Sequence, residues 1–489
     1  MLQIVHDVAP GAKLAFHTGV LSPRNFELAI QSLQAANCDI IVDDITFPLE
    51  PFFGTGRIAD AIKSFTSEPG NLYFTSAGNF ANDGYQAAFS SSAATPTSNF
   101  LPAGSRAHVF GTTSGVQDVI QKISVEPGVY MIVLQWDESL ASQENASGAI
   151  TDLDIFLVDD NRNLIVGNNR VNQAGDPTEV IVFEAKASGT ANILISSANG
   201  APPAGLAFRY VAFRSQGLKV LEYAGAPTVS GHAMTPEANT IAAIDYRAAL
   251  SPVPQYFSSY AGNLADNTIL EIDLAAPDGG NTNVASIGQD IAADDDTFPN
   301  FFGTSAAAPH AAGAFALLMS AIPNWYPNGL PGDIVVKTNA AADEALKLVK
   351  QTATPAGTQE RSGVGLINLE AAFTTIAAKT AKVTKLIVED GKTPSAEPFS
   401  VTIIGEFFPT DPKIIFDGKE LEITSKSATE IVAKVGTFSG NPALQVQTNS
   451  LPGSINNGGL SDPISFFSDG KLALNIIAED VDDQYTARQ

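Results

Sequence analysis

Gly303-Thr304-Ser305-Ala306-Ala307-Ala308-Pro309-His310 opens an alanine-rich apolar run and sets a serine hydroxyl at the start of a helix. The first backbone N–H groups of a helix have no partner within it, and the helix dipole is positive there, so negative charge developing beside Ser305 is stabilised. Ser305 is therefore a candidate nucleophile. The alternative is that Thr304 or Ser305 merely caps the helix, as hydroxyl side chains commonly do.

A second segment, Thr75-Ser76-Ala77-Gly78-Asn79, follows the apolar run Leu72-Tyr73-Phe74 and so ends a buried strand. The apolar spacing around these segments sets the frame. Phe26, Ala29, Ile30 and Leu33 follow helical spacing within 25–37, a buried strand is predicted over Asp39 to Ile45, and Ile58, Ala59, Ile62 and Phe65 line one face of a helix over Gly56 to Phe65. Lys13-Leu14-Ala15-Phe16 reads as a further strand. Strands alternating with helices predict a parallel sheet with crossover helices, whose ligand sites lie at the C-terminal strand ends where Asn79 falls.

Gly303 to Gly313 and Ser76 to Asn79 resemble the serine and oxyanion-asparagine motifs of the subtilisin-like serine peptidases. Ile272-Asp273-Leu274-Ala275-Ala276-Pro277 is similar to the segment that precedes the family's serine, and the three occur in the family's order. Tyr256-Phe257-Ser258-Ser259-Tyr260 and the Gly-rich turn at Arg361 to Ala372, with Gly363, Gly365 and Asn368, resemble further family segments. The resemblance covers roughly residues 1 to 95 and 216 to 380. It implies that Ser305 attacks a peptide carbonyl while Asn79 and the Ser305 N–H hold the oxyanion, with Gly78, Gly303 and Thr304 against the substrate. The implied substrate is a protein or peptide. No cofactor is required by it.

The same resemblance leaves the base unaccounted for. Met1 to Ala12 matches the stretch just after the family's catalytic His, so Met1 falls about three or four residues too late to include it. Of the five histidines, His6 would stand roughly 13 Å along the helix from that position, and His310, five residues past Ser305, points away by about 140°. His17, His108 and His232 read as ordinary polar or structural positions. Two expectations follow: the chain lacks the front of a normal enzyme, or it is a product unable to perform acyl transfer. The first is preferred, because a domain starting inside a helix lacks buried neighbours. A rival reading is a non-catalytic surface binding protein on a degenerate peptidase scaffold.

Val42-Asp43-Asp44-Ile45 stands where the family has a Ser-Leu-Gly edge that pairs with extended substrate. An Asp at that edge, Asp44 above all, either favours a basic substrate side chain or bonds neighbouring backbone. Asp294-Asp295-Asp296 reads as a solvated charge run.

From about 96 to 215 the pattern turns to short alternating strands such as Tyr130 to Leu134, Ile155 to Val158 and Ile193 to Ile195, a β-sandwich or jelly roll inserted between the two peptidase halves. Asp152, Asp154 and Asp159, with Asp160 and Asn161, bracket one strand; they offer oxygens for calcium or form a solvated acidic turn. After Lys382 the alternation returns in a stretch, 381–450, that resembles the immunoglobulin-like domains of bacterial surface proteins. Residues 451–489 read as a tail or the beginning of another repeat. The expected fold is thus α/β: a subtilisin-like parallel sheet with helices on both faces (1–95 and 216–380), an inserted β-sandwich (96–215) and a small all-β immunoglobulin-like domain.

Charge excludes one class of partner. With 27 Lys plus Arg against 52 Asp plus Glu, the net charge of −25 repels nucleic acid and anionic membranes. No apolar run approaches the ~20 residues needed to span a bilayer. The single cysteine, Cys38, excludes an internal disulfide framework, reads as buried, and suits a secreted or cell-surface protein.

Overall fold

The computed structural model describes residues 1–143, 147–214, 217–223, 225–284, 288, 290–291, 294–321, 339–376, 381–409, 411–447 and 460–467. Two compact units share them: residues 1–317 with 337–369, and residues 318–336 with 370–489.

In the first unit, helix α1 spans Leu2–Val8, α2 Pro23–Ala35 and α3 Arg57–Thr66. Ser22 caps α2 by accepting from the Asn25 N–H, and Pro23 supplies the preset first-turn backbone. Strands β1 (Ile40–Asp43), β2 (Leu72–Ser76), β3 (Asn239–Asp245) and β4 (Leu274–Asp278) form one sheet in that order, every neighbouring pair parallel. Tyr73 joins Ile41 and the α2 and α3 side chains Phe26, Ile30, Ile58, Ile62 and Phe65 in one core. The next residue faces the other way: Phe74 meets Phe315 of α4 (Thr304–Ala321) at 4.9 Å between ring centres. Alternation along β2 thus separates α2 and α3 from α4.

Lys13 to Phe16 forms no strand. Among the described residues β1 is an edge of the sheet and no strand pairs with this segment, and Leu14 and Phe16 are exposed, Phe16 by 75%. Cys38 is half-buried.

The β-rich insertion consists of two antiparallel sheets facing each other over a core of Ile123, Ile132, Leu134, Trp136, Ile155, Ile193 and Phe208. It begins earlier and ends later than the alternation pattern implies. Gly84–Ala88 already pairs with Ala207–Arg214, and Lys219–Val220 pairs with the strand Gln121–Val125. Arg209, fully buried, ties this insertion to the parallel-sheet part by donating to the carbonyls of Val229 and Phe52, with its guanidinium 4.6 Å from the Phe52 ring centre. Burial draws its pKa down to about 9.

Of the carboxylates considered for calcium, Asp159 lies apart from Asp152 and Asp154. Asp152 and Asp159 flank the strand Leu153–Val158, and six residues of strand hold its ends roughly 20 Å apart. Asp159 caps an exposed turn, accepting from the Asn161 and Asn163 N–H groups, both at 2.8 Å, whereas Asp152 accepts from the buried Asn172 N–H at 2.9 Å. Among the described residues no group of three or more His, Cys, Asp or Glu is arranged to hold a metal ion.

Beside Asp154 lies a fully buried carboxylate, Glu179, with Asn172 and Arg170 as its polar neighbours among the described residues. Burial lifts its pKa to about 8; Arg170, 3.8 Å away, opposes the shift, and Asp154 and Asp152 add to it. The folded state therefore holds a proton that the unfolded chain releases near 4.5, so stability declines as pH rises from there through about 8. Glu179→Gln is expected to remove that decline, at most about 1.4 kcal/mol per pH unit. Thermal melts at pH 5 and pH 8 check this: the variant should gain on the native chain at pH 8, and equal slopes would contradict it.

The second unit contains an antiparallel sheet of Lys382–Val388, Phe399–Glu406, Glu422–Lys426 and Glu430–Val435, and a smaller one of Lys413–Phe416, Lys419–Glu420 and Leu444–Gln447. Both feed one core with Val401, Ile403, Ile414, Ile431 and Leu444. Part of the supposed tail belongs here: Ile464 bridges to Leu444, and the Phe466 ring packs on Phe399 and Phe416. The strand pattern expected after Lys471 lies outside the described residues.

Candidate active site

Three chain segments meet at the start of α4. Its first N–H groups turn on Gly303, whose carbonyl accepts from Ala306 and Ala307, so neither Thr304 nor Ser305 acts as the helix cap. The Thr304 hydroxyl is used across the chain instead. It donates to Asn79 Oδ1 at 3.0 Å and accepts from the Gly78 N–H at 3.1 Å, while the Thr304 N–H donates to the same Asn79 Oδ1 at 3.0 Å. Two donors fix which end of the Asn79 amide is oxygen. Its nitrogen is thereby turned toward Gly303.

Gly303 is the space these groups share. Its φ of +122° disfavours a side chain, and a Cβ there would lie 3.2 Å from Asn79 Nδ2 and 3.7 Å from the Ser305 nitrogen. The same hollow is thus bordered by a side-chain amide and by the N–H of half-buried Ser305 at the positive end of α4. Asn79 Nδ2 and the Ser305 nitrogen border one space at Gly303.

The surroundings hold this geometry. Asp278, fully buried at the end of β4, accepts from the Gly303 N–H at 2.9 Å and from Gln255 Nε2 at 2.9 Å. Burial pushes its carboxyl up, and the bond from Gly303 opposes this. Gly78 has φ +95°, and Ser259 braces its turn: the Ser259 N–H donates to the Gly78 carbonyl at 2.9 Å and Ser259 Oγ accepts from the Phe80 N–H at 3.2 Å. Asp294 is no free surface charge; it accepts from Tyr246 Oη at 3.1 Å and Asn300 Nδ2 at 2.9 Å, anchoring the loop before Gly303. A cavity of about 380 Å³ opens from Asn79 and Gly303 past Phe302, Gln255 and the Asp245–Arg247 ion pair.

The two aspartates after β1 differ in surroundings. Asp43 is buried and accepts from Tyr73 Oη at 2.8 Å, from the Ile45 N–H at 3.0 Å and from His232 Nε2 at 3.1 Å. The other His232 nitrogen meets Glu50 at 2.7 Å. Burial alone depresses the His232 pKa, but Glu50 and Asp43 outweigh it and raise the pKa to about 10, so this ring is an imidazolium at neutral pH. Asp44 is only half-buried; burial and the Asp43 charge lift its carboxyl to about 6.

Among the described residues no histidine is hydrogen-bonded to Ser305. His108 bonds Tyr85 and Ser90 inside the insertion, His310 bonds the Ala306 carbonyl at 2.8 Å, His17 bonds Thr18, and exposed His6 lies on α1. Asp278 and the Asp43–His232–Glu50 cluster escape sequence reasoning. Asp278 carries one signal, its place directly after the Ala275-Ala276-Pro277 segment, whereas Glu50 and His232, 182 positions apart, carry none.

A helix-borne serine beside a fixed carboxamide is the arrangement that acyl-transfer hydrolases use. Residues 2–365 match the Subtilase family, Peptidase_S8, and the chain belongs to that family of serine-type peptidases. Subtilisin-like protease SBT1.6 of Arabidopsis thaliana is 33% identical over 142 residues, which are 27% of this chain and 18% of that protein. Among solved structures, the Clostridium perfringens CspB protease covers 72% of this chain and 69% of its own at 13% identity and TM-score 0.42. The prenylagaramide maturation protease PagA covers 74% and 70% at 14% identity and TM-score 0.30. No described helix is long and apolar enough to cross a membrane.

Proposed function

We propose that Ser305 is the nucleophile of a peptide-hydrolysing site and that Asn79 Nδ2 and the Ser305 N–H receive the oxygen of the attacked carbonyl. The supporting observation is the latch of Thr304 on Asn79 Oδ1, which leaves the amide nitrogen facing the hollow at Gly303. Gly78 and Gly303 keep that hollow open. The substrate is a protein or peptide, and we place the parent protein in the secreted or cell-surface setting. The sheet with helices on both faces is read as the subtilisin-like frame and residues 381–450 as an immunoglobulin-like module that spaces or binds.

Attack by a serine hydroxyl needs a proton acceptor. With each histidine occupied or placed elsewhere, these 489 residues by themselves are expected to give no meaningful turnover. This favours, as the second reading, a binding protein that keeps the peptidase scaffold. A fluorophosphonate probe separates the cases. The purified chain is expected to show no rapid labelling at Ser305, and rapid labelling that disappears in Ser305→Ala would overturn the expectation.

A further inference from the structure

We infer that Asp44 selects peptides carrying a lysine or arginine side chain, with Asp43 and His232 acting as the positioning pair that holds it in place. The inference rests on the reading of Ser305 and Asn79 given above and names the substrate class of that site.

Strand alternation supplies the geometry. Ile41 and Asp43 point toward α2 and α3, where Ile41 joins their core and Asp43 meets the Tyr73 hydroxyl. Val42 pairs in register with Phe74, whose ring meets Phe315 of α4, so Val42 and, two residues on, Asp44 point to the side of the nucleophile helix. Asp43 pairs with Thr75, which sets Asp44 level with Ser76, three residues before Asn79. A second observation agrees. The amino group of Met1 acts electrostatically on both Asp44 and His310 of α4, so all three share a neighbourhood.

Chemistry then distinguishes the two carboxylates. Asp43 is satisfied by three donors, one of them an imidazolium, and has nothing left to offer a ligand. Among the described residues no side chain hydrogen-bonds or pairs with Asp44. Burial and Asp43 disfavour its charge, the Met1 amino group offsets part of this, and an arriving ammonium or guanidinium takes the same role. Asp43 also cannot slip away to share that cation, because Tyr73 and His232 pin it on the opposite face.

The test uses two fluorescent peptides identical except for lysine or norleucine at one position, titrated by anisotropy against the whole chain, with Gly303→Ala as the control for binding at the hollow. The lysine peptide is expected to bind about 10-fold more tightly, the effect of one charge-assisted contact. In Asp44→Asn the ratio between the peptides should fall to near one; Asp44→Ser serves if the asparagine variant does not fold. Equal binding of both peptides by the native chain overturns the inference and leaves the peptidase reading standing. A lysine preference that survives in Asp44→Asn also overturns it, since the overall acidity of the chain would then be its source. Failure of both peptides to bind overturns the inference together with the site assignment.

Discussion

Gly303→Ala is expected to lower the residual acylation of Ser305 by an activated ester at least about 100-fold without unfolding the chain. An alanine Cβ would stand 3.2 Å from Asn79 Nδ2 and 3.7 Å from the Ser305 nitrogen, in the space we propose for the oxyanion, and would take a backbone conformation of φ +122° that L side chains rarely adopt. The added methyl blocks both donors at once. An activated ester suits the measurement, because its leaving group needs little protonation, and serine peptidases stripped of triad members retain catalysis from the oxyanion hole alone. Asn79→Ala probes one donor while keeping the backbone. Removing that donor from subtilisin costs ~10²–10³ in rate, and the family precedent sets the figure here. A Gly303→Ala chain that melts normally and acylates at the native rate would mean that the hollow does not receive the carbonyl.

His232→Leu is expected to destabilise the first unit by about 3–5 kcal/mol, the cost of leaving buried charge uncompensated. The imidazolium lies between Asp43 and Glu50 at 3.1 and 2.7 Å, all three side chains being buried. Leucine fills the volume but leaves two carboxylates facing each other out of water. The pH course carries the sign. The folded pKa of about 10 lies above the ordinary 6.5, so the stabilisation is complete below 6.5 and is lost as pH climbs toward 10. The gap between native chain and variant should narrow over that window. Nitrogen chemical shifts of His232 at pH 8 give an independent check: imidazolium is expected, and a neutral tautomer would contradict the assignment.

How much of this was legible in the sequence depends on how local each feature is. Apolar spacing located α2, α3, β1 and β2 to within a few residues, because the period of buried positions is carried by each segment's own residues. The motif resemblance singled out Ser305, Gly303 and Asn79, but it gave no sign of the latch. That Thr304 would abandon helix capping for Asn79 depends on a contact 225 positions away. Lys13 to Phe16 failed for the converse reason: its alternation is that of a strand, but a strand exists only with a partner. The clustering of Asp152 and Asp159 in the sequence did not show that they close opposite ends of one strand. His232 read as structural, and it is buried, but nothing nearby in the chain announces its partners Glu50 and Asp43.

The most direct measurement of the central claim follows the two donors themselves. In the ¹⁵N-labelled chain, a peptide with a free C-terminal carboxylate should shift the Ser305 backbone amide and the Asn79 side-chain amide together, in proportion to occupancy, and Gly303→Ala should abolish both shifts. Binding of that peptide with neither resonance moving, or with only one of them responding, would show that the serine and the carboxamide do not serve one site.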